Sequence, residues 1–153
     1  MAKMKWEVKN LSPGITMKEA AQKVLPNRIK NLNSTIKEYL ENETPENLHQ
    51  VRIAVRRLRY NMDIFISCFV KKKFLIFYNS IVKIQDATGN IRDSDILISN
   101  IKSLNLADAS SAKESVVKRI EDVNYKSREE LKLTLLEFHH SRESKDFLKM
   151  LKK

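Results

Sequence analysis

Backbone punctuation is scarce in this chain. Its 153 residues include two glycines, Gly14 and Gly89, and three prolines, Pro13, Pro26 and Pro45. Tight turns draw on these residue types, because glycine reaches positive φ and proline presets φ near the turn value. A chain so poor in both reads as a few long helices with brief connections rather than many short strands. No segment alternates apolar and polar residues with strand period, whereas apolar residues recur at three- and four-residue spacing over most of the length.

Residues 1–14 read as an extended segment ending in the turn-like "SPG". "TMKE" follows as a capping box, with Thr16 as N-cap and Glu19 three residues on. The first helix then carries Ala20, Val24, Ile29, Leu32, Ile36 and Leu40 on one stripe, and Pro26 is expected to kink it or to start a second segment. "ENETPEN" is the first break: Thr44 suits an N-cap and Pro45 the first helical position. The second helix is expected to reach about Val70, with the lysines at 71–73 as a tight connection. A third helix carries Phe74, Phe77, Ile81 and Ile84. Gly89 is expected to interrupt it before Ile91, Leu97, Ile101 and Leu104 resume the pattern. "NLADASSA" reads as a loop. A fourth helix follows with Val116, Ile120, Val123, Leu131, Leu135 and Phe138, and "KDFLKMLKK" as a short terminal helix. The expectation is an all-α fold in one domain. Residues 16–153 form an up-down four-helix bundle with a kinked first helix and a short C-terminal helix.

Charge narrows the partners. Lys and Arg total 29 against 19 Asp and Glu, a net charge of +10. Such an excess favours polyanions: nucleic acid, an anionic membrane surface or a phosphate polymer. Cys68 is the only cysteine, which excludes an internal disulfide and a thiolate metal cluster, and its setting in "DIFISCFV" reads as a small core residue. The start lacks the continuous apolar stretch of a signal peptide, and no apolar run is long enough to span a bilayer. These features read as a cytoplasmic protein without membrane insertion.

The charge concentrates in "HQVRIAVRRLRY", residues 49–60, where one histidine and four arginines stand without an acid. Projected at about 100° per residue, Val51, Val55, Leu58, Met62 and Phe65 form the core face. His49, Arg52, Arg56, Arg59, Tyr60 and Asp63 gather nearly opposite, and Arg57 falls off that line. Like charges three or four apart repel by a few tenths of a kcal/mol per pair, so the line calls for an answering charge. Arginine suits phosphate because its planar, always-charged fork binds bidentately. One turn advances about 5.4 Å, so successive arginines can meet successive groups of a linear anion. His49 lies near the helix N-terminus, where the dipole also favours an anion. The alternative is a solvated basic face paired with acids on neighbouring helices, with Tyr60 a rim residue rather than a lid.

"ENLHQVRIAVRRLRYNMDIF" followed by "QDATGNIRDSDIL" resembles the conserved-histidine α-helical domain, the CHAD family. The H-x-x-R-x-x-x-R-R-L-R pattern stands at His49, Arg52, Arg56, Arg57, Leu58 and Arg59, and the G-x-x-R-D-x-D pattern at Gly89, Arg92, Asp93 and Asp95. "SREELKLTLLEFHHSRESKDFLKML" is similar to that domain's closing helices. The resemblance implies an all-helical protein that binds inorganic polyphosphate without catalysis, here as one half of a double bundle whose two halves surround a basic channel. Phosphate contacts would fall to His49, Arg52, Arg56 and Arg59, then to Arg57 and Arg92, with Lys83 and Arg28 as further contacts. Asp93 and Asp95 would orient arginines or cap the resumed helix. A half-unit also implies a homodimer, at least on ligand.

This reading requires no cofactor, and divalent cations would compete by covering the polymer's charge. Nucleic-acid binding is the second reading, although 7% aromatic residues form no evident stacking platform. A phosphohydrolase is the third. It would need a nucleophile or metal site, and only Asp86, Asp93 and Asp95 offer one for magnesium. His139 and His140 are adjacent and point about 100° apart on a helix, which does not suit a shared metal.

Overall fold

The computed structural model describes residues 7–105 and 110–153, which contain five α-helices and no strand. These are α1 (Met17–Glu41), α2 (Pro45–Phe65), α3 (Lys71–Ser103), α4 (Ser110–His140) and α5 (Glu143–Leu151). Each of α1 to α4 packs on the next and α4 closes on α1, giving the expected up-down bundle, while α5 folds back across α3 and α1. The start of the N-terminal segment and the centre of the 105–112 loop lie outside the described residues.

Local chemistry sets the ends. Thr16 and Glu19 form the capping box reciprocally: Glu19 N–H donates to Thr16 Oγ1 at 3.2 Å, and Thr16 N–H to Glu19 Oε2 at 2.7 Å. These bonds hold the Glu19 carboxyl below its ordinary pKa. Thr44 caps α2 through Asn47 N–H at 3.1 Å, with Pro45 first in the helix. α1 runs unbroken through Pro26, so no second segment starts there. Two expected boundaries are corrected. The lysines at 71–73 open α3 rather than connect, because the chain turns earlier through a 3-10 turn at Ile66–Cys68. Cys68 sits half-buried in that turn rather than in the core. Gly89 does not interrupt α3, which is one continuous helix of 33 residues; a single glycine costs about 1 kcal/mol, too little to break a helix packed on both sides.

The core is one cluster. The α2 stripe of Val51, Val55, Leu58, Met62 and Phe65 is buried as its periodicity requires, against Val24, Ile29, Leu32 and Ile36 of α1 and Phe74, Phe77, Ile81, Ile84 and Ile91 of α3. Under α5, Phe77 and Phe147 stack at 4.3 Å between centroids and Phe74 meets Phe147 edge-on at 5.3 Å.

The far end differs from expectation. Leu97, Leu104, Val116 and Val123 are exposed and Ile120 is half-buried; there α4 turns Val117 and Asn124 inward instead, while Leu131, Leu135 and Phe138 are buried as expected. At about 1.5 Å per residue, α3 and α4 outrun α2, which has 21 residues, so their distal parts pack on each other alone. A polar contact anchors that pair: Arg128 Nη2 donates to both carboxylate oxygens of Asp95, at 2.6 and 2.7 Å, and Asn124 Nδ2 adds a bond at 2.7 Å. Lys113 Nζ caps the C-terminus of α3 through the Lys102 and Leu104 carbonyls, at 2.9 and 2.7 Å.

Two leucines on α4 check this orientation. Leu131 is fully buried and Leu133 is 62% exposed. Leu131→Ala should destabilise the fold by about 2–5 kcal/mol and Leu133→Ala by no more than about 0.5 kcal/mol, read from urea unfolding. Comparable losses would mean that α4 is rotated about its axis.

Candidate anion-binding site

Because its apolar stripe is clamped between α1 and α3, α2 presents cations on two flanks. On the α3 flank, Arg52, Arg56 and Tyr60 form one wall of an open groove of about 380 Å³. Gln85, Asp86, Gly89, Asn90 and Asp93 form the other. The helices run antiparallel, so the Arg52 end of the α2 wall lies toward the Asp93 end of the α3 wall and the Tyr60 end toward the Gln85 end. Gly89 adds no side chain, and a Cβ there would meet nothing within 4 Å.

The expected line of cations is chemically uneven. Arg59 is tethered: its Nε donates to Tyr78 Oη at 3.3 Å, and that hydroxyl donates to Asp63 Oδ1 at 2.7 Å. The bond to Tyr78 raises the Arg59 pKa further above its ordinary value. The Arg56 and Arg59 guanidiniums lie 5.7 and 5.9 Å from the Tyr60 ring centroid, within cation–π range. Among the described residues, no acid stands within ion-pairing distance of Arg52 or Arg56. His49 lies one turn toward the N-terminus, half-buried, with Nδ1 buried and without a hydrogen-bond partner.

The remaining expected contacts divide. Arg57 lies on the opposite flank, with Asn31, Ser34, Thr35 and Gln50 in a smaller α1–α2 groove of about 90 Å³. Arg28 of α1 belongs to the same side: its Nε donates to Asn61 Oδ1 at 3.1 Å. Burial, and then the nearby Arg57 guanidinium, lower the Arg28 pKa. Lys83 is exposed on α3, on the stripe that continues to Asn90 by i, i+7. Arg92 is half-buried and lines neither groove. Asp93 lines the α2–α3 groove, whereas Asp95 is turned to Arg128 of α4 and takes no part in it. Among the described residues, no group of three or more His, Cys, Asp or Glu side chains could hold a metal ion.

Tyr78, Gln85, Asn90 and Asn61 were not singled out by the sequence. They come to the arginines through the antiparallel register of α2 against α3 and through the packing of α1. A second cavity of about 380 Å³, floored by Phe77 and Phe147 between the start of α3 and α5, contains none of the expected contacts.

A family model described as the CHAD domain matches residues 4–102, more than half of the chain. The chain therefore belongs to the CHAD domain family. The match covers both arginine-bearing motifs and stops at the end of α3, leaving α4 and α5 beyond it. No curated protein and no solved structure matches the chain. No helix among the described residues is long and apolar enough to cross a membrane.

The open groove beside Gly89 has a measurable counterpart in stability. Gly89→Ala places a methyl in free space on a continuous helix. It should stabilise the protein by about 0.5–1 kcal/mol, seen as a higher urea midpoint at unchanged slope. A loss of stability would show that the groove wall is closer than described.

Proposed function

We propose that the protein is a binding module, without catalysis of its own, that holds inorganic polyphosphate along the cationic ridge of α2. One observation carries this reading: Arg52 and Arg56 stand one turn apart at the lip of an open groove with no acid in ion-pairing reach among the described residues. Two guanidiniums one turn apart with no salt bridge among the described residues repel, and an anion that bridges them removes the repulsion and gains charge-assisted hydrogen bonds. Family membership supports the same chemistry, since CHAD domains bind polyphosphate in general terms. His49 extends the ridge toward the positive end of the helix dipole. Arg57, with Arg28 beside it, offers a second landing point on the other flank.

Binding of this kind displaces counterions, as in protein–nucleic acid association, and weakens steeply with salt. Titration with long-chain polyphosphate should show affinity falling at each step of added salt, and binding that is flat with salt would reject the proposal. Arg56→Ala should lower affinity roughly tenfold with the fold intact, because Arg56 is exposed and supports no packing. Arg57→Ala should cost less. The reverse ranking would move the site to the α1–α2 groove.

The proposal extends to a homodimer on ligand. A chain that supplies one basic bundle gains a second wall from a second copy, and a bridging polyanion offsets the repulsion between two molecules of net charge +10. Light scattering with a polyphosphate sized to one site should report two protein copies per chain. A strictly monomeric complex at high protein concentration would remove the dimer and leave polyphosphate binding in place.

A further inference from the structure

The two walls of the α2–α3 groove do not match one kind of ligand. The α2 wall offers donors, through Arg52 and Arg56. The α3 wall offers an acceptor at the Gln85 end, the exposed Asp86 carboxylate, while the neighbouring Gln85 Oε1 is itself buried. A bare phosphate chain consists of acceptors, so it satisfies the α2 wall and gives Asp86 nothing to accept. Tyr60 stands on the same stretch of groove, 48% exposed, with two guanidiniums near its ring. An exposed aromatic ring in the same groove as a carboxylate acceptor, one turn from Arg56, is an arrangement that receives a nucleobase.

We propose that this groove takes a nucleoside polyphosphate, with its phosphates on Arg52 and Arg56 and its base against Tyr60. Sugar hydroxyls and exocyclic amines then supply donors to the Asp86 carboxylate. Gly89, midway between the two ends, adds no side chain to obstruct the path. Asp93 lies toward the Arg52 end of the groove. A groove of about 380 Å³ is of the size that holds small ligands. The inference rests on the reading that Arg52 and Arg56 hold phosphate, and adds to it what lies at the end of the phosphate chain.

Calorimetric titration of the full chain with tripolyphosphate, ATP and adenosine at one ionic strength separates the two readings. Tripolyphosphate carries at least as much negative charge as ATP, so charge alone ranks it first or equal. The expected result is ATP binding roughly tenfold more tightly than tripolyphosphate, through stacking, with adenosine weak. Tyr60→Leu should remove most of that advantage while lowering tripolyphosphate binding much less, and Tyr60→Phe should keep it. Thermal melts of both variants monitor folding. ATP binding no more tightly than tripolyphosphate overturns the inference and leaves the polyphosphate reading standing. An ATP advantage unmoved by Tyr60→Leu also overturns it, because the base then lies elsewhere. Failure of both phosphates to bind overturns both.

Discussion

Burial of one narrow stripe of α2 governs the rest of the molecule. Val51, Val55, Leu58 and Met62 are wholly removed from water between α1 and α3, a gain of about 1.5–3 kcal/mol for each side chain. Repulsion between neighbouring arginines on the same helix is worth a few tenths of a kcal/mol per pair. Packing therefore wins, and the guanidiniums occupy whatever directions the buried stripe leaves. Two grooves flank that stripe, and each takes arginine from α2.

The flanks are not equivalent. Toward α3, Arg59 is held by Tyr78, itself bonded to Asp63, while Arg52 and Arg56 form no salt bridge among the described residues. Toward α1, burial and then the nearby Arg57 guanidinium lower the Arg28 pKa, and Arg28 Nε donates to Asn61. The first groove collects Arg52 and Arg56 with Asp86 and Asp93, and the second collects Arg57 with Glu38. The ridge of α2 lies between them, so a flexible phosphate polymer has cations on either side of one helix.

The distal half of α3 and α4 follows different physics. Beyond the reach of α1 and α2 there is no third layer to bury against. The two helices are joined there by Asp95 with Arg128 and Asn124, by Lys102 with Glu121 at 3.1 Å, and by Lys113 on the carbonyls that end α3. Asp95 is consequently a structural partner of α4 rather than a partner of the α2 arginines. Apolar residues in this region are shared between the helix pair and solvent, so Val123 is exposed while Asn124, its neighbour, is buried.

Much of this was legible in the sequence because it is local. The scarcity of glycine and proline, the capping residues Thr16, Glu19, Thr44 and Pro45, and the stripe from Val51 to Phe65 each act within a few residues along the chain. They determined an all-α bundle, the start of α1 and α2, the inward face of α2 and the offset of Arg57 from its neighbours. The arginine and glycine–aspartate motifs carried the family. What the sequence did not determine is how each helix is rotated about its axis and which turn of one stands beside which turn of another. Those are settled by side chains from distant segments interlocking at once, and a periodic pattern is equally consistent with several rotations. Tertiary packing alone therefore turned Val117 inward instead of Val116, carried α3 through Gly89, and set Tyr78 on Arg59. It also placed Gln85, Asp86 and Gly89 across the groove from Arg52 and Arg56.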